Sequence, residues 1–283
     1  DGSVMVTAMD STDIVSRIEQ IHQSSAVVTA AVGRLATAAS IMGSLLKGEQ
    51  DSLTLRINGG GPAGVIIAVS DHNGNVKACP MNAIVELPLN ARGKLDVAGA
   101  VGKDGYLSVV RDLGLKEPYT GYIPIVSGEI AEDITYYYAV SEQTPTVCAL
   151  GVLVNPDLSV KSAGGFLAQL LPFADEEAVD ILEKNVNKIA SVTSMLAEGK
   201  TPTDLCKILL SGLEPQFLGE SSPAYHCDCS KKRVERAILS MGKEQITTLI
   251  EEDHGTEICC HFCEKKYLYS ESELRHLLTE AQK

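Results

Sequence analysis

The chain is short of positive charge. It carries 24 Lys and Arg against 37 Asp and Glu, a net charge of −13 over 283 residues. A chain this acidic repels phosphate backbones unless a basic patch is segregated from the rest. No such patch is present: residues 223–283 hold nine Lys and Arg against eleven Asp and Glu. Nucleic acid is therefore not an expected partner. A positive segment followed by an apolar one is also missing from the start, so no secretory leader is visible. The first residue is Asp rather than Met, and a natural start upstream of it is expected. No stretch reads as a membrane span. The longest apolar run, residues 26–48, is interrupted by Arg34 and is rich in Ala, Thr and Ser, which fits a buried amphipathic helix. Glycines 59–61 lack the Lys and Ser/Thr that complete a phosphate-binding loop, and they lie between two strand-like segments, so a hairpin turn is expected. Without an export signal the expected compartment is the reducing cytosol. There, clustered cysteines read as metal ligands or redox groups before structural disulfides.

What is present is an ordinary apolar content of 45% in a chain long enough for two or three domains. Residues 1–173 mix strand and helix signals. "DIVSRIEQIHQ" and residues 26–47 read as helices, and "LTLRI" alternates as a half-buried strand does. "VIIAVS" follows the glycine turn, and Asn73-Gly74 marks a hairpin. "YLSVVRDL", "GYIPIV" and "CALGVLV" add strands, and "SGEIAEDITYYYAVSEQ" reads as a helix entered from Ser127 or Gly128. Its three carboxylates, Glu129, Glu132 and Asp133, complement a helix N-terminus better than they suit acid–base catalysis. An α+β core with antiparallel pairing is expected. Residues 174–222 carry few strand signals. "EEAVDILEKNVNKIASVTSMLAEG" predicts one helix ending at Gly199, and "TPTDLCKILLSGL" predicts a second with Thr201 as N-cap and Pro202 at its first position. Such a helical pair buries little on its own and must pack against something else. In residues 223–283, "SKKRVERAILSM" and "KEQITTLIEED" predict short helices. "TEICCHFCEKKYLYS" predicts a hairpin whose turn carries cysteines. "SESELRHLLTEAQK" predicts a last helix with Ser270 and Glu273 as a capping box.

This last zone holds five of the eight cysteines. Cys227 and Cys229 form a CxC, and Cys260 and Cys263 a CxxC. Two short-spaced thiol pairs separated by a small folding unit are how a tetrahedral zinc site is built. In a CxxC turn the sulfurs point the same way and backbone N–H groups can donate to them. Adjacent Cys259 and Cys260 would point apart on a strand, which leaves Cys259 spare. His226, His254 and His261 are rival ligands for a site with three thiolates. Cys79, Cys148 and Cys206 read as small buried hydrophobes. Four thiolates close the zinc shell, which leaves structure or regulation rather than catalysis. An inert zinc staple and a redox role both fit the spacing. The CxC favours regulation, because a disulfide across one residue closes a tight, reducible ring. Bound zinc keeps sulfurs as thiolates, the form oxidants attack. Structural zinc supplies ~10–16 kcal/mol of folding energy in small domains, so its loss should turn order into disorder here.

At these residues the chain closely resembles the heat shock protein 33 family of redox-regulated holdase chaperones. The CxC and CxxC match its switch motif, and "VGRLATAASIMGSLLKG", "SGEIAEDITYYYAVSEQTP" and "GGFLAQLLP" match its core segments. The resemblance implies three parts: an antiparallel-sheet core with helices (1–173), a helical linker (174–222) and a small zinc-binding redox-switch domain (223–283). It implies one Zn²⁺ held by Cys227, Cys229, Cys260 and Cys263 in an inactive reduced form. Oxidation would then form disulfides Cys227–Cys229 and Cys260–Cys263, with release of the metal and unfolding of domain and linker. It further implies a non-enzymatic, ATP-independent chaperone of the bacterial cytoplasm, dimeric when oxidised, whose clients are unfolding or oxidatively damaged proteins. Membranes are not implied. Cys79-Pro80 stands where the family more usually has a glycine and an aromatic, so an altered local hairpin is expected. Two rivals remain. A zinc-ribbon binding module predicts a basic face and inert zinc; the acidic zone opposes the former. A thiol oxidoreductase at Cys260 and Cys263 predicts a thioredoxin-like βαβ pattern, which is missing.

Overall fold

The computed structural model describes residues 2–280 except positions 173 and 190. The expected zone boundary at Phe173 and the end of the last expected helix, residues 281–283, lie outside the described residues. The chain forms two compact units, Asp1–His226 and Cys227–Lys283.

The first unit begins with β1 (Val4–Asp10), α1 (Thr12–His22) and α2 (Ala26–Ser44). It continues with β2 (Ser52–Gly60), β3 (Ile66–Asp71), β4 (Val76–Pro80), α3 (Val97–Val101), β5 (Gly102–Asp112), β6 (Tyr119–Pro124) and α4 (Ala131–Val140). Strands β7 (Thr146–Val154) and β8 (Val160–Leu170) follow, then helices α5 (Glu176–Val186), α6 (Val192–Ala197) and α7 (Pro202–Leu209). The strands form two antiparallel sheets, ordered β4-β3-β2-β5-β6 and β1-β8-β7. The expected α+β architecture with antiparallel pairing is therefore present.

Helix α2 packs against strands of both sheets. Sixteen of its nineteen residues are buried, so it is apolar all round rather than amphipathic. Its small residues let both sheets approach. A Cβ on Gly33 would meet Val15 and Val152 side chains at 2.7 and 2.8 Å. Among the described residues it is the one helix long and apolar enough to cross a membrane, but it is buried inside the fold. The glycines at 59–61 sit at bulges where β2 meets Gly102, not at a phosphate cradle; a Cβ on Gly59 would lie 2.2 Å from the Gly102 carbonyl oxygen. The β3–β4 hairpin keeps its register through Cys79 and Pro80.

Strands β1 and β8 were not legible in the sequence. Residues of β8 are buried almost throughout, which removes the alternation that marks a half-buried strand. Its Gly164 and Gly165 weaken the strand signal further, yet both are needed: a Cβ would meet the Met9 and Ala149 carbonyl oxygens at 2.4 and 2.6 Å.

Helix α4 starts three to four residues later than expected. The fully buried Asp133 carboxylate accepts backbone N–H bonds from Val126 (2.8 Å), Ser127 (3.0 Å) and Ile130 (2.9 Å). These hold Ile130 at φ 72° in a γ-turn closed by Ala131 N–H to the Glu129 carbonyl, a conformation a β-branched residue rarely adopts. Glu129 pairs with Arg34 of α2. Asp133 and Glu129 thus serve structure, while Glu132 is exposed.

The helix expected over residues 176–199 is two helices. Buried Asn185 donates its side-chain N–H groups to the Leu209 and Ser211 carbonyls (3.0 and 2.7 Å), tying the end of α5 to the end of α7. Ser191 then caps α6 by accepting Ser194 N–H. Thr201 and Asp204 cap α7 reciprocally, with Pro202 at its first position, as the sequence suggested. These helices cover the outer face of β1-β8-β7: Leu182, Val192, Leu196, Leu205 and Leu209 bury against Phe166 and Ala168. The chain then runs to the edge of the other sheet. Val76 of β4 donates to the Ala224 carbonyl and accepts from His226 N–H, both at 3.0 Å, and Ala224 N–H reaches the Asn75 side chain at 3.1 Å.

The second unit contains α8 (Lys231–Ser240), α9 (Lys243–Glu251), β9 (Gly255–Cys259), β10 (Lys266–Ser270) and α10 (Glu271–Glu280). Strands β9 and β10 pair antiparallel. Ser270 and Glu273 form the expected capping box. The core is small: Ile238, Ile246, Ile250, Tyr267, Tyr269, Leu274 and Leu277.

Candidate metal centre

Two local structures deliver the thiols. Cys227 and Cys229 lie in the irregular segment before α8, whose first turn is capped by the Ser230 hydroxyl accepting Arg233 N–H. One residue apart in the chain, the two thiols reach the same centre. Cys260 and Cys263 lie in the turn between β9 and β10. That turn is closed by Cys260 N–H to the Lys265 carbonyl (2.9 Å) and Glu264 N–H to the Cys260 carbonyl (2.8 Å), with Glu264 at φ 56°.

The four sulfurs lie within 4.8 Å of one another. The Cys227–Cys260 separation is 3.7 Å and the Cys229–Cys263 separation 3.3 Å. A tetrahedron of sulfurs with Zn–S bonds of ~2.3 Å has edges of about 3.8 Å. A disulfide would need ~2.05 Å. The arrangement thus fits a metal such as zinc, and all eight cysteines are free thiols. The close contacts run across the two pairs, which packs the sulfurs around one centre.

Cys259 ends β9, exposed, with its sulfur outside the cluster. His226, His254 and His261 are not part of it either. His254 instead approaches Glu271 at 3.8 Å. Cys79 is buried, while Cys148 and Cys206 are half-buried with thiols pushed up by burial, that of Cys148 to about 12.

The cluster's surroundings stabilise thiolate unequally. Burial pushes the Cys227 thiol up, against a backbone N–H bond from Cys229. Burial also raises Cys263, partly offset by an N–H from Lys265. At Cys229 burial acts in the same upward sense, but the Tyr267 hydroxyl, donating at 3.1 Å, and the neighbouring thiols outweigh it and lower the thiol. The bond to Cys229 in turn pushes the Tyr267 hydroxyl above its ordinary value. Tyr267 was missed by sequence reasoning. The alternation of "KYLYS" does place Tyr267 and Tyr269 on one face of β10, but nothing local tells which of them meets a sulfur.

Fold and cluster together define the class: an α+β protein with a small C-terminal unit that gathers four thiols at metal-binding distance. Comparison with known proteins agrees and is more specific. The family model described as "Hsp33 protein" matches residues 1–270. The "33 kDa chaperonin" of Clostridioides difficile is 50% identical over 280 residues, covering 99% of this chain and 96% of that protein. The "33 kDa chaperonin" of Acetivibrio thermocellus is 48% identical over 285 residues, covering 100% and 96%. The crystal structure of the 33 kDa chaperonin (heat shock protein 33 homolog) from Thermotoga maritima superposes with a TM-score of 0.89 at 37% identity, over 98% of this chain and 94% of that one. The chain belongs to the Hsp33 family, non-enzymatic holdase chaperones whose partners are client proteins.

Proposed function

We propose that this chain is a redox-regulated, ATP-independent holdase of the bacterial cytoplasm. The observation that carries the reading is the convergence of four free thiols within 4.8 Å inside a unit with a small apolar core, in a chain of a chaperone family. Cys227, Cys229, Cys260 and Cys263 would hold one Zn²⁺ in the reduced form. Bound zinc would keep the four sulfurs as thiolates and cross-link the segment before α8 to the β9–β10 turn. The division of labour is a core of residues 1–173, a linker of 174–222 and a switch of 223–283.

Oxidation joins Cys227 to Cys229 and Cys260 to Cys263. Each closure draws two sulfurs to bonding distance and makes them neutral, so neither pair can hold a cation or the cross-link. Cys229 and Cys260 pack against the unit's apolar core, so moving them disturbs what little holds it. A unit this small is marginal without its staple. The linker helices loosen next, and the apolar faces they share with β1-β8-β7 become available to clients. The active form is a homodimer.

The test is light scattering from an unfolded client diluted into buffer. Reduced, zinc-loaded chain leaves aggregation unchanged, and peroxide-treated chain suppresses it. If neither sample suppresses aggregation, the second reading takes over: a binding module with a purely structural zinc, which the closed four-thiol shell also fits.

A further inference from the structure

The four sulfurs have different neighbours. At Cys227 and Cys263 burial raises the thiol, and the backbone N–H groups of Cys229 and Lys265 work against it. Cys229 accepts a side-chain hydroxyl, that of Tyr267, at 3.1 Å. The donor is held in place from several sides. Tyr267 stands opposite Ile258 in the β9–β10 pair, is 7% exposed, and belongs to the apolar core of its unit. The Lys265 ammonium lies 5.3 Å from its ring centre. A ring so held keeps its hydroxyl directed at the sulfur.

We propose that Tyr267 is a positioning residue for Cys229, whose O–H bond to the sulfur strengthens the thiolate as a metal ligand and slows its oxidation. The inference rests on the thiolate–zinc reading above. A thiolate reacts through its lone-pair charge. A donor aimed at that charge stabilises it, fixes the direction of the sulfur, and leaves it less ready to attack an oxidant. The slowed step starts when the sulfur lone pair attacks one oxygen of hydrogen peroxide. The O–O bond breaks, and the other oxygen leaves as hydroxide and is protonated to water. The sulfenic acid so formed loses its oxygen as a second water, the proton coming from solvent, when the partner thiolate attacks the oxidised sulfur. Two electrons pass from the two sulfurs to the peroxide for each disulfide. Losing the donor makes the first attack at Cys229 easier.

The same strand supplies the control. Tyr269 is 3% exposed in the same core, but its hydroxyl donates to the Lys231 carbonyl at 3.2 Å. Tyr267→Phe and Tyr269→Phe each remove one half-buried hydroxyl bond from one hairpin, and only the first removes a bond to sulfur.

The experiment uses the full chain with Co²⁺ as a spectroscopic probe, then Zn²⁺. Tyr267→Phe is expected to move the sulfur-to-cobalt charge-transfer bands to lower energy and to weaken zinc binding about 10- to 100-fold, the usual effect of losing a partner behind a metal ligand. It should also speed peroxide-driven zinc release about tenfold, the same loss of thiolate stabilisation read as a rate. Tyr269→Phe should leave all three unchanged. Replacing Tyr267 by 3-fluorotyrosine, a stronger donor of nearly the same size, should move the bands the opposite way, so the answer does not depend on the phenylalanine variant folding. Bands and release rates that match the unaltered chain in both Tyr267 variants overturn the proposal while leaving the metal reading in place. An unaltered chain that gives no cobalt–thiolate bands overturns both.

Discussion

Replacing Cys260 and its neighbour Cys259 separately by serine tests the assignment of the site most directly. The two residues are adjacent in sequence and opposite in circumstance. The Cys260 sulfur is inside the four-thiol cluster, 3.7 Å from that of Cys227, whereas Cys259 is exposed at the end of β9. If structural zinc supplies ~10–16 kcal/mol and the four sulfurs share it evenly, each ligand accounts for about 2.5–4 kcal/mol. At 1.4 kcal/mol per tenfold, Cys260→Ser should weaken zinc binding about 10²- to 10³-fold. The loss falls on a unit whose core comprises Ile238, Ile246, Ile250, Tyr267, Tyr269, Leu274 and Leu277. Cys260→Ser should therefore also leave residues 227–283 open to proteolysis, while Cys259→Ser should retain both zinc and protection. The assay is metal content after dialysis against a calibrated chelator, followed by limited digestion. Equal zinc retention by the two variants would refute the ligand assignment and the use made of the sulfur geometry.

Other outcomes follow from single contacts. Asp133→Ala removes the shared acceptor of three backbone N–H groups, that of Ile130 buried and those of Val126 and Ser127 half-buried. It should cost about 3–6 kcal/mol, lowering Tm by on the order of 10 °C in a thermal melt; a loss under ~1 kcal/mol would mean that the γ-turn at Ile130 stands without it. Leu205→Ala opens a cavity where fully buried Leu205 packs over the β1-β8-β7 sheet. It should cost about 2–5 kcal/mol and lower the peroxide dose needed for holdase activity, read by client light scattering. An unchanged dose would count against the linker's part in the switch. Asn75→Ala removes the acceptor of Ala224 N–H and should speed amide hydrogen exchange at Ala224 and His226 several-fold, with exchange in β2 unaffected.

Much of this protein was legible in its sequence, for reasons that differ from place to place. The hairpins joining β2 to β3 and β3 to β4 followed from local alternation and turn residues, and the caps at Thr201 and Ser270 from side chains acting on their own backbone. The thiol spacings were equally local: a CxxC turn points its two sulfurs the same way, and a CxC keeps its two thiols close in the chain. Other features depend on distant partners. β8 hides its period because it is covered on both faces, and the sheet that it centres is closed by β1, at the other end of the unit's sequence. The break between α5 and α6 goes with Asn185 reaching the last carbonyls of α7, and the late start of α4 comes from a carboxylate that gathers three amides.

The sequence by itself determined which residue types could hold a metal, because ligand chemistry belongs to the side chain and short spacing belongs to the backbone. Only the tertiary structure decided that the two pairs meet within 4.8 Å and that Tyr267 rather than Tyr269 donates to a sulfur. Those two facts depend on how α8, the β9–β10 hairpin and a shared apolar core pack together. Packing is a property of the whole unit, and no short window of residues contains it.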